Sequence, residues 1–223
     1  MILPVVISTL NRLELLDQTI ASLQKNTKSE LETIVISDAS DNHTLEYLNH
    51  CDNINFFNFH KHVSIAEVKW KGFEFVSEAK YVYFSDNDVY FEKNWDLKLM
   101  KVLETFPDIG VVGGRHHPHH VIFDKFKFEE DEILICEQQA GYSMMLRQED
   151  YKAIGGYEVS DRTKDGGEDT LVCDMIKAKG MKIASIEPPI IIHCGMTNYR
   201  GLRASDWHEM MEIQKQRPEV LFL

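Results

Sequence analysis

Short runs of apolar, often β-branched residues alternate with helical patterns along the first half of the chain. The runs are typical of strands covered on both faces, and the segments between them carry apolar residues three and four positions apart. Such alternation predicts βαβ units with right-handed crossovers, and therefore an α/β domain with a mostly parallel central sheet flanked by helices. The predicted strands are 3–8, 31–37, 54–59 and 81–84, and the predicted helices are 13–25, 44–49 and 64–79.

The second half has a less regular pattern, with a polar and aromatic stretch at 116–136 that contains short strand-like pieces. Glycines follow two of its helical patterns, as they often do at helix ends. No internal repeat or low-complexity linker divides the chain. Further predicted strands are 109–113, 139–146, 182–186 and 190–193, with helical segments at 95–106, 149–154, 171–179 and 205–216.

Length and composition favour one domain. The 223 residues, 43% of them hydrophobic, are enough to form one substantial hydrophobic core but too few for two independent domains. The 36 acidic and 24 basic residues give a net charge of -12, which repels nucleic acids and anionic membrane surfaces. We therefore expect a single domain over residues 1–223, for which nucleic acid is not the default partner.

The start of the chain and its cysteines bear on the compartment. The first apolar run ends at Ser8 after about seven residues, too short for a secretory signal or a membrane span, and no other run reaches about 18 apolar residues. The four cysteines are widely spaced with no CxxC pair, which favours reduced thiols over disulfides or a zinc site. These features predict a cytoplasmic protein without a membrane span.

A pair of carboxylates follows the predicted strand 81–84. Asp86 and Asp88 are two positions apart, so in an extended chain both side chains point to the same side. Converging carboxylates repel each other unless a cation lies between them, and Mg²⁺ and Mn²⁺ prefer oxygen ligands and often share phosphate oxygens. The spacing therefore indicates a site for a divalent cation and a diphosphate. An Asp- and Asn-rich turn without a ligand is the alternative.

Other polar residues follow the neighbouring predicted strands. The carboxyl ends of parallel strands meet at one edge of a sheet, where α/β proteins bind ligands. Thr9, Asn11 and Arg12 follow the first strand and Asp38 follows the second, so all four are candidates to line one pocket, with Arg12 near the phosphates. The first half has no Gly-rich phosphate loop, so a metal is the expected holder of any phosphate. The alternatives are a surface loop for 9–12 and a turn or helix-capping role for Asp38.

Two further acidic residues, Glu168 and Asp169, follow a Gly-Gly pair at the start of a predicted helix. A carboxylate presented from such a mobile loop can take a proton from an attacking hydroxyl group, and helix capping is the competing explanation. His193 directly follows the apolar run 190–192. It becomes a metal-ligand candidate if it converges with Asp88, and is otherwise a packed histidine.

Two remaining clusters carry less specific signals. The stretch 116–120 holds four histidines around a proline, a composition that can bind a transition metal. Because no cysteine or acid stands at ligand spacing, we expect a solvated loop there that touches the substrate. The segment 199–207 combines aromatic and arginine residues and can fold over a diphosphate as a lid, with an ordinary surface loop as the alternative.

Taken together, five motifs resemble those of the nucleotide-sugar-dependent glycosyltransferases of the GT-A fold, and most closely family 2. In chain order they are VVISTLNR, LETIVISDASD, YVYFSDNDVYF, GYSMMLRQEDYKAIGGY and GGEDTLVCDMIKAKG. They are similar to the family's first strand with its T-x-N-R loop, its base-contacting Asp, its Asp-x-Asp strand, its acceptor-side strand with a GG-aromatic turn, and its Glu-Asp catalytic helix. The resemblance spans nearly the whole chain and implies the Rossmann-like GT-A fold with a smaller acceptor-side sheet region.

The resemblance implies transfer of one sugar from a nucleoside diphosphate, expected to be UDP, to a hydroxyl acceptor with inversion at the anomeric carbon. Mn²⁺ or Mg²⁺ would be the cofactor. Residues 1–115 would bind the nucleotide, and residues 116–223 would bind the acceptor and carry the catalytic group. By position, the resemblance implies that Asp38 contacts the nucleotide base, that Asp86 contacts the ribose or a metal-bound water, and that Asp88 and His193 bind the metal. Asp169, with Glu168 beside it, would be the catalytic general base.

The chain also departs from the family pattern. Residues 68–72 stand where the family has the motif A-R-N-x-G, and Trp70 takes the place of its Asn. Residues 37–40 stand where the family has D-D-G-S, and they contain one acidic residue, Asp38, instead of two. The QxxRW motif of processive synthases is absent, so single-sugar transfer is expected. A sugar nucleotidyltransferase, which usually has an early Gly-rich loop, and a non-catalytic sugar-nucleotide or glycan-binding domain are the alternatives. The donor sugar, the oligomeric state and the acceptor, a modified nucleic acid base included, stay open.

Overall fold

The computed structural model of the chain describes residues 1–117, 120–157, 163 and 166–194. Within them the strands are β1 (Ile2–Thr9), β2 (Glu30–Ser37), β3 (Ile54–Asn58), β4 (Tyr81–Asp86), β5 (Val89–Phe91), β6 (Ile109–Gly113), β7 (Ile122–Phe128), β8 (Asp131–Cys136), β9 (Ser143–Arg147), β10 (Lys182–Glu187) and β11 (Ile191–His193). The helices are α1 (Leu13–Asn26), α2 (Asn42–His50), α3 (Ile65–Glu74), α4 (Trp95–Thr105), α5 (Gln148–Ala153) and α6 (Glu168–Ala178). The predicted helix at 205–216 and the lid candidate at 199–207 lie outside the described residues.

Nine of these strands form one sheet in the order β3-β2-β1-β4-β9-β6-β10-β8-β7. The first four strands along the chain pair in parallel, as their alternation with helices predicts. β9 then runs antiparallel between β4 and β6, and β7 and β8 form a hairpin in which β8 pairs antiparallel with β10. The α/β class with a helix-flanked central sheet is confirmed, and the sheet is mixed: β9 pairs antiparallel with both of its neighbours, and the short connection between β7 and β8 permits only antiparallel pairing there.

The sheet is buried on both faces, which gives the fold three layers. In β1, Val5 and Ile7 face a core shared with α1, α2 and α4, whereas Val6 faces a second core shared with α3, α5 and α6. Strands covered on both sides carry nearly continuous apolar runs, which explains the pattern in the sequence. In the part of the chain described above, no helix is long and apolar enough to cross a membrane.

A smaller second sheet pairs β5 with β11 in antiparallel orientation. In its register His193 lies opposite Val89, the residue after Asp88. The backbone of the two segments is also joined directly, because the Cys194 N–H donates to the Asp88 carbonyl at 2.6 Å. This pairing brings a residue near the end of the described chain to the turn after β4.

Most predicted boundaries differ from the observed ones by a few residues, and two differ by more. α3 ends at Glu74 instead of 79. Just after this end, the N–H and the hydroxyl of Ser77 both donate to Glu32 Oε2, at 3.0 and 2.7 Å. β9 begins at Ser143 instead of 139, because Gln139 turns its side chain into the core and donates to the Arg115 carbonyl at 3.0 Å. In both places a contact with a distant segment replaces the regular backbone pattern, so the local sequence does not reveal the boundary.

Candidate active site

The turn between β1 and α1 holds two consecutive residues in the left-handed region of backbone space. Asn11 has a φ of 56° and Arg12 a φ of 59°, a conformation that costs energy for residues other than glycine. Neighbouring loops hold the turn in place: the Asn11 N–H donates to Ser40 Oγ at 2.9 Å, and Asn87 Nδ2 donates to the Asn11 carbonyl at 3.0 Å. The segments after β2 and β4 therefore fix the direction in which Arg12 leaves the backbone.

The turn after β4 is tied to β1 by side chains. Asn87 Nδ2 donates to Thr9 Oγ1 at 2.8 Å, and Ser8 Oγ donates to Asp86 Oδ1 at 2.9 Å. Thr9 is buried, and its hydroxyl is engaged by this turn. Asp86 is partly exposed whereas Asp88 is buried, so the two carboxylates of the predicted pair have different surroundings.

Asp88 lies at the centre of a small charged cluster. Its Oδ2 accepts from Arg12 Nη1 at 2.6 Å, and its Oδ1 lies 3.3 Å from His193 Nε2. Burial on its own raises the pKa of Asp88, but the charges of His193 and Arg12 outweigh burial and lower the pKa below its usual value. The carboxylate is thus ionised at neutral pH, with the Arg12 guanidinium on one side and the His193 imidazole on the other.

His193 is positioned by its strand and by an aromatic neighbour. Its imidazole ring stacks on Tyr142, with ring centroids 4.7 Å apart and an angle of 17° between the planes. Partial burial opposes the charged form of the ring, but the nearby carboxylates, Asp88 before Asp86, raise the pKa of His193 above its usual value. The convergence of His193 with Asp88 that the sequence left conditional is therefore present.

The donor set around Asp88 fits a divalent cation in part. Asp88 Oδ1 is buried and accepts no hydrogen bond from the described residues, although His193 Nε2 lies within ion-pair distance of it at 3.3 Å. An oxygen in this position is one that a cation can satisfy. Oxygen and imidazole donors suit Mn²⁺, and Mg²⁺ suits the oxygens. In the same described part of the chain, no three His, Cys, Asp or Glu side chains converge as a complete ligand set. A cation bound at Asp88 would therefore need further ligands, such as phosphate oxygens and water.

Asp38 lies at the end of β2, and neighbouring groups contact its carboxylate. The Val63 N–H donates to Oδ1 at 2.8 Å, and Nδ1 of the exposed His62 lies 2.6 Å from Oδ2. The capping residue of α2 is Asp41, whose side chain accepts from the Thr44 N–H at 2.8 Å. Helix capping therefore does not account for Asp38, and its carboxylate instead organises the loop that leads into α3.

Glu168 and Asp169 form the first turn of α6 and face different partners. Glu168 is buried, and its Oε1 accepts from Lys69 Nζ at 2.9 Å. Asp169 is partly exposed; its Oδ1 accepts from the Thr170 N–H at 2.7 Å and its Oδ2 from the Gly141 N–H at 3.0 Å. Of the two carboxylates, Asp169 is the one that solvent or a substrate can reach.

Lys69 joins the two groups of carboxylates, and the sequence analysis did not single it out. Its buried ammonium lies between Glu168 and Asp86 Oδ1, which is 3.6 Å away. Burial lowers the pKa of Lys69, but Glu168 and then Asp86 outweigh it and hold the pKa well above its usual value. A signal was present, since Lys69 stands where the family motif A-R-N-x-G has its Arg, whereas the neighbouring Trp70 is exposed.

The histidine-rich loop lies beside a different part of the site. His120 Nδ1 contacts the Gln138 carbonyl at 3.0 Å, and Gln138 Oε1 accepts from Thr170 Oγ1 at 3.3 Å. Burial, followed by the charge of His120, lowers the pKa of His116. The loop is thereby linked to the residue after Asp169, while Pro118 and His119 lie outside the described residues.

Comparisons with known proteins agree with this architecture. The family model described as "Glycosyl transferase family 2" matches residues 5–163. No curated protein matches the chain. One similar solved structure is the mannosyltransferase PcManGT from Pyrobaculum calidifontis in complex with GDP-Man and Mn²⁺, with a TM-score of 0.64 and 16% identity over 84% of this chain and 54% of that chain. Another is GalNAc-T7 with UDP, GalNAc and Mn²⁺, with a TM-score of 0.71 and 16% identity over 99% of this chain and 51% of that chain.

The likeness to these two structures shows the fold, and the present chain spans about half the length of each. The family match extends over well more than half of the chain and includes both β1 and the turn after β4. It supports a transferase with the GT-A architecture. On this match, the chain belongs to glycosyl transferase family 2.

Proposed function

We propose that the chain is a metal-dependent, inverting glycosyltransferase that moves one sugar from a nucleoside-diphosphate sugar to a hydroxyl group of an acceptor. The observation that carries the proposal is the buried, ionised carboxylate of Asp88 at the end of β4, with one oxygen without a hydrogen-bond partner among the described residues and His193 Nε2 3.3 Å from it. The two similar structures each contain a nucleotide or nucleotide sugar together with Mn²⁺, which supports the same class of ligand.

The donor side of the proposed site is formed by residues 1–115, with His193 added from the second half of the chain. Asp88, His193 and Asp86 would hold Mn²⁺ or Mg²⁺, and a cation bound there would neutralise the negative charge that builds on the departing diphosphate. Thr9 and Asn11 shape the pocket through the turn that they stabilise, and Arg12 brings a second positive charge to the same edge. Asp38 would accept a hydrogen bond from the base. UDP is the proposed nucleotide.

The acceptor side lies in residues 116–223, where Asp169 is the proposed general base. As the acceptor hydroxyl attacks the anomeric carbon, its proton passes to the Asp169 carboxylate, the new glycosidic C–O bond forms and the bond to the diphosphate oxygen breaks. A single displacement of this kind inverts the anomeric carbon. Asp169 suits the role because it is partly exposed, whereas the Glu168 carboxylate is buried against Lys69.

The test is a screen of nucleotide sugars with Mn²⁺, read as release of the nucleoside diphosphate. We expect one donor to be consumed, and we expect Asp169→Asn to lower kcat by at least about 100-fold, the usual contribution of a general base. Full transfer by Asp169→Asn together with a dead Glu168→Gln variant would show that the base is the other carboxylate. Consumption of a nucleoside triphosphate and a sugar phosphate, with release of pyrophosphate, would instead identify a nucleotidyltransferase.

A non-catalytic domain of the same fold is the remaining alternative. It would bind a nucleoside diphosphate in the presence of Mn²⁺ and consume no donor with any acceptor in the panel. Residues 9, 86, 88 and 169 carry the expected side-chain types and hold defined positions, which favours the enzyme. A cytoplasmic location is part of the proposal and is supported by four free thiols, Cys51, Cys136, Cys173 and Cys194.

A further inference from the structure

The ammonium group of Lys69 is enclosed by three oxygens from three separate segments. Glu168 Oε1 accepts at 2.9 Å, the Gly141 carbonyl accepts at 3.0 Å, and Asp86 Oδ1 lies 3.6 Å away. Only 1% of the Lys69 side chain is exposed. A charge so far from water persists only where its partners compensate for the lost hydration, so the three segments hold each other in place through this one group.

The Gly141 peptide is clamped between the two acidic residues of α6. Its carbonyl binds Lys69, which binds Glu168, and its N–H donates to Asp169 Oδ2 at 3.0 Å. A Cβ at position 141 would meet Lys69 Nζ at 2.5 Å and Glu168 Oε1 at 3.0 Å. A side chain at position 141 would therefore displace the ammonium from its place beside Glu168.

Two glycines, Gly166 and Gly167, lie immediately before α6. Gly166 has a φ of 111° and Gly167 a φ of 80°, and for both glycines a Cβ would meet no atom within 4 Å. Glycine has the broadest backbone freedom, so this pair leaves the entry angle of the helix open. Asp169 is held by the Thr170 N–H of its own helix and by the Gly141 N–H, and the Gly141 carbonyl is in turn held by Lys69.

We propose that Lys69 and Gly141 are positioning residues that aim the Asp169 carboxylate, with Glu168 acting as the anchor of Lys69. The inference rests on the proposed function above, and it assigns a role to Glu168, the buried carboxylate beside Asp169. The link from Lys69 to Asp86 also joins the end of β4 to the first turn of α6. That contact is the longest of the three, and Asp86 Oδ1 is also held by Ser8 Oγ at 2.9 Å, so the main effect of Lys69 falls on α6.

Two variants disturb the bridge in different ways. Lys69→Met removes the ammonium while keeping a side chain of similar length, and Gly141→Ala keeps every charge but places a methyl group where the ammonium lies. Because Lys69→Met leaves Glu168 buried without its cation, the double variant Lys69→Met/Glu168→Gln provides a folded version without either charge. Lys71→Met is the matched control: Lys71 is on the same helix, is partly exposed and pairs with Glu74 at 2.8 Å.

The kinetic readout separates aiming from donor binding. We expect Lys69→Met, the double variant and Gly141→Ala each to lower kcat by about 10- to 100-fold, the cost of a carboxylate misplaced by about 1 Å. The KM for the donor and the dissociation constant of the Mn²⁺–nucleotide complex should stay close to wild type. Lys71→Met should match wild type in all of these values.

A second readout does not depend on turnover. The Gly141 N–H is protected by Asp169, so its hydrogen exchange, followed by NMR, should be about tenfold faster in Lys69→Met and in the double variant, which is the loss of one ordinary hydrogen bond. Exchange at Gly141 should be unchanged in Lys71→Met. Faster exchange in a chain that consumes no donor would support the bridge and refute the transferase.

The inference is overturned if folded Lys69→Met and Gly141→Ala turn over donor at the wild-type rate with wild-type exchange at Gly141. It is also overturned if Lys69→Met weakens nucleotide binding as strongly as it lowers kcat, because Lys69 would then act on the donor directly. In either case a wild-type chain that transfers sugar leaves the proposed function standing.

Discussion

Removing the buried ammonium of Lys69 should destabilise the fold by an amount that the structure allows us to work out. The side chains of Lys69 and Glu168 are 1% and 8% exposed, so Lys69→Met leaves a carboxylate buried without its cation. Breaking one partner of such a pair costs about 3–5 kcal/mol. The contact with Asp86 adds little, about 0–1 kcal/mol, because that carboxylate is 35% exposed and water screens it.

The pH dependence of this loss follows from the pKa of Lys69, which is raised by Glu168 and Asp86 against the effect of burial. A group whose pKa is higher in the folded chain contributes its full stability below its unfolded value of about 10.4 and loses it only as the pH rises through the folded value. The difference in stability between wild type and the double variant Lys69→Met/Glu168→Gln, which lacks both groups, should therefore be constant from about pH 6 to about pH 9.

The assay is urea unfolding followed by the fluorescence of the three tryptophans. With a urea dependence of about 2–3 kcal/mol per molar, the midpoint of Lys69→Met should fall by about 1–2 M. Lys69→Met/Glu168→Gln should recover most of the loss, because removal of both members of a buried ion pair is often nearly neutral. A loss below about 1 kcal/mol, or a double variant no more stable than Lys69→Met, would refute the description of Lys69 as the compensating cation of Glu168.

Two further predictions concern other parts of the fold. Gly72→Ala should destabilise the chain by up to about 2 kcal/mol in urea unfolding. The new Cβ would meet Val6 Cγ1 at 2.2 Å, an overlap that costs about 1–3 kcal/mol and is offset in part by a gain in helix propensity of about 1 kcal/mol. A more stable variant would contradict the packing of α3 on β1. Native protein at about pH 8 should show one thiol that reacts fast with Ellman's reagent, the partly exposed Cys51, and four after denaturation. Burial blocks access to the other three thiols and raises their pKa, to about 11 for Cys136 and to about 12 for Cys173 and Cys194. Two or more fast thiols in the native protein would contradict this.

Much of the donor side could be predicted because its signals are local. Continuous apolar runs mark the strands buried on both faces, and the polar residues that follow β1, β2 and β4 meet where parallel strands end. The convergence of His193 on Asp88 could be stated only as a condition, because it depends on the pairing of β11 with β5 across about a hundred residues of chain. The roles of these residues remain predictions.

Lys69 illustrates why the remainder could not be predicted. A lysine within an amphipathic helix normally lies at the surface, and nothing next to it in the sequence indicates burial. Its burial depends on Glu168, which lies 99 positions further along the chain, and on the Gly141 carbonyl in the segment before β9. The antiparallel insertion of β9 between β4 and β6 has the same origin, since strand order is decided by contacts between distant segments.

The central claim is that a cation held at Asp88 fixes the diphosphate of the donor, and calorimetric titration of UDP with and without Mn²⁺ tests it most directly. Wild type should bind UDP at least about tenfold more tightly with Mn²⁺, and Asp88→Ala should lose that difference. Asp124→Ala, which removes an exposed acid on β7, should keep it. Equal dependence on Mn²⁺ in Asp88→Ala and wild type, or wild-type binding of UDP that Mn²⁺ does not change, would contradict the account.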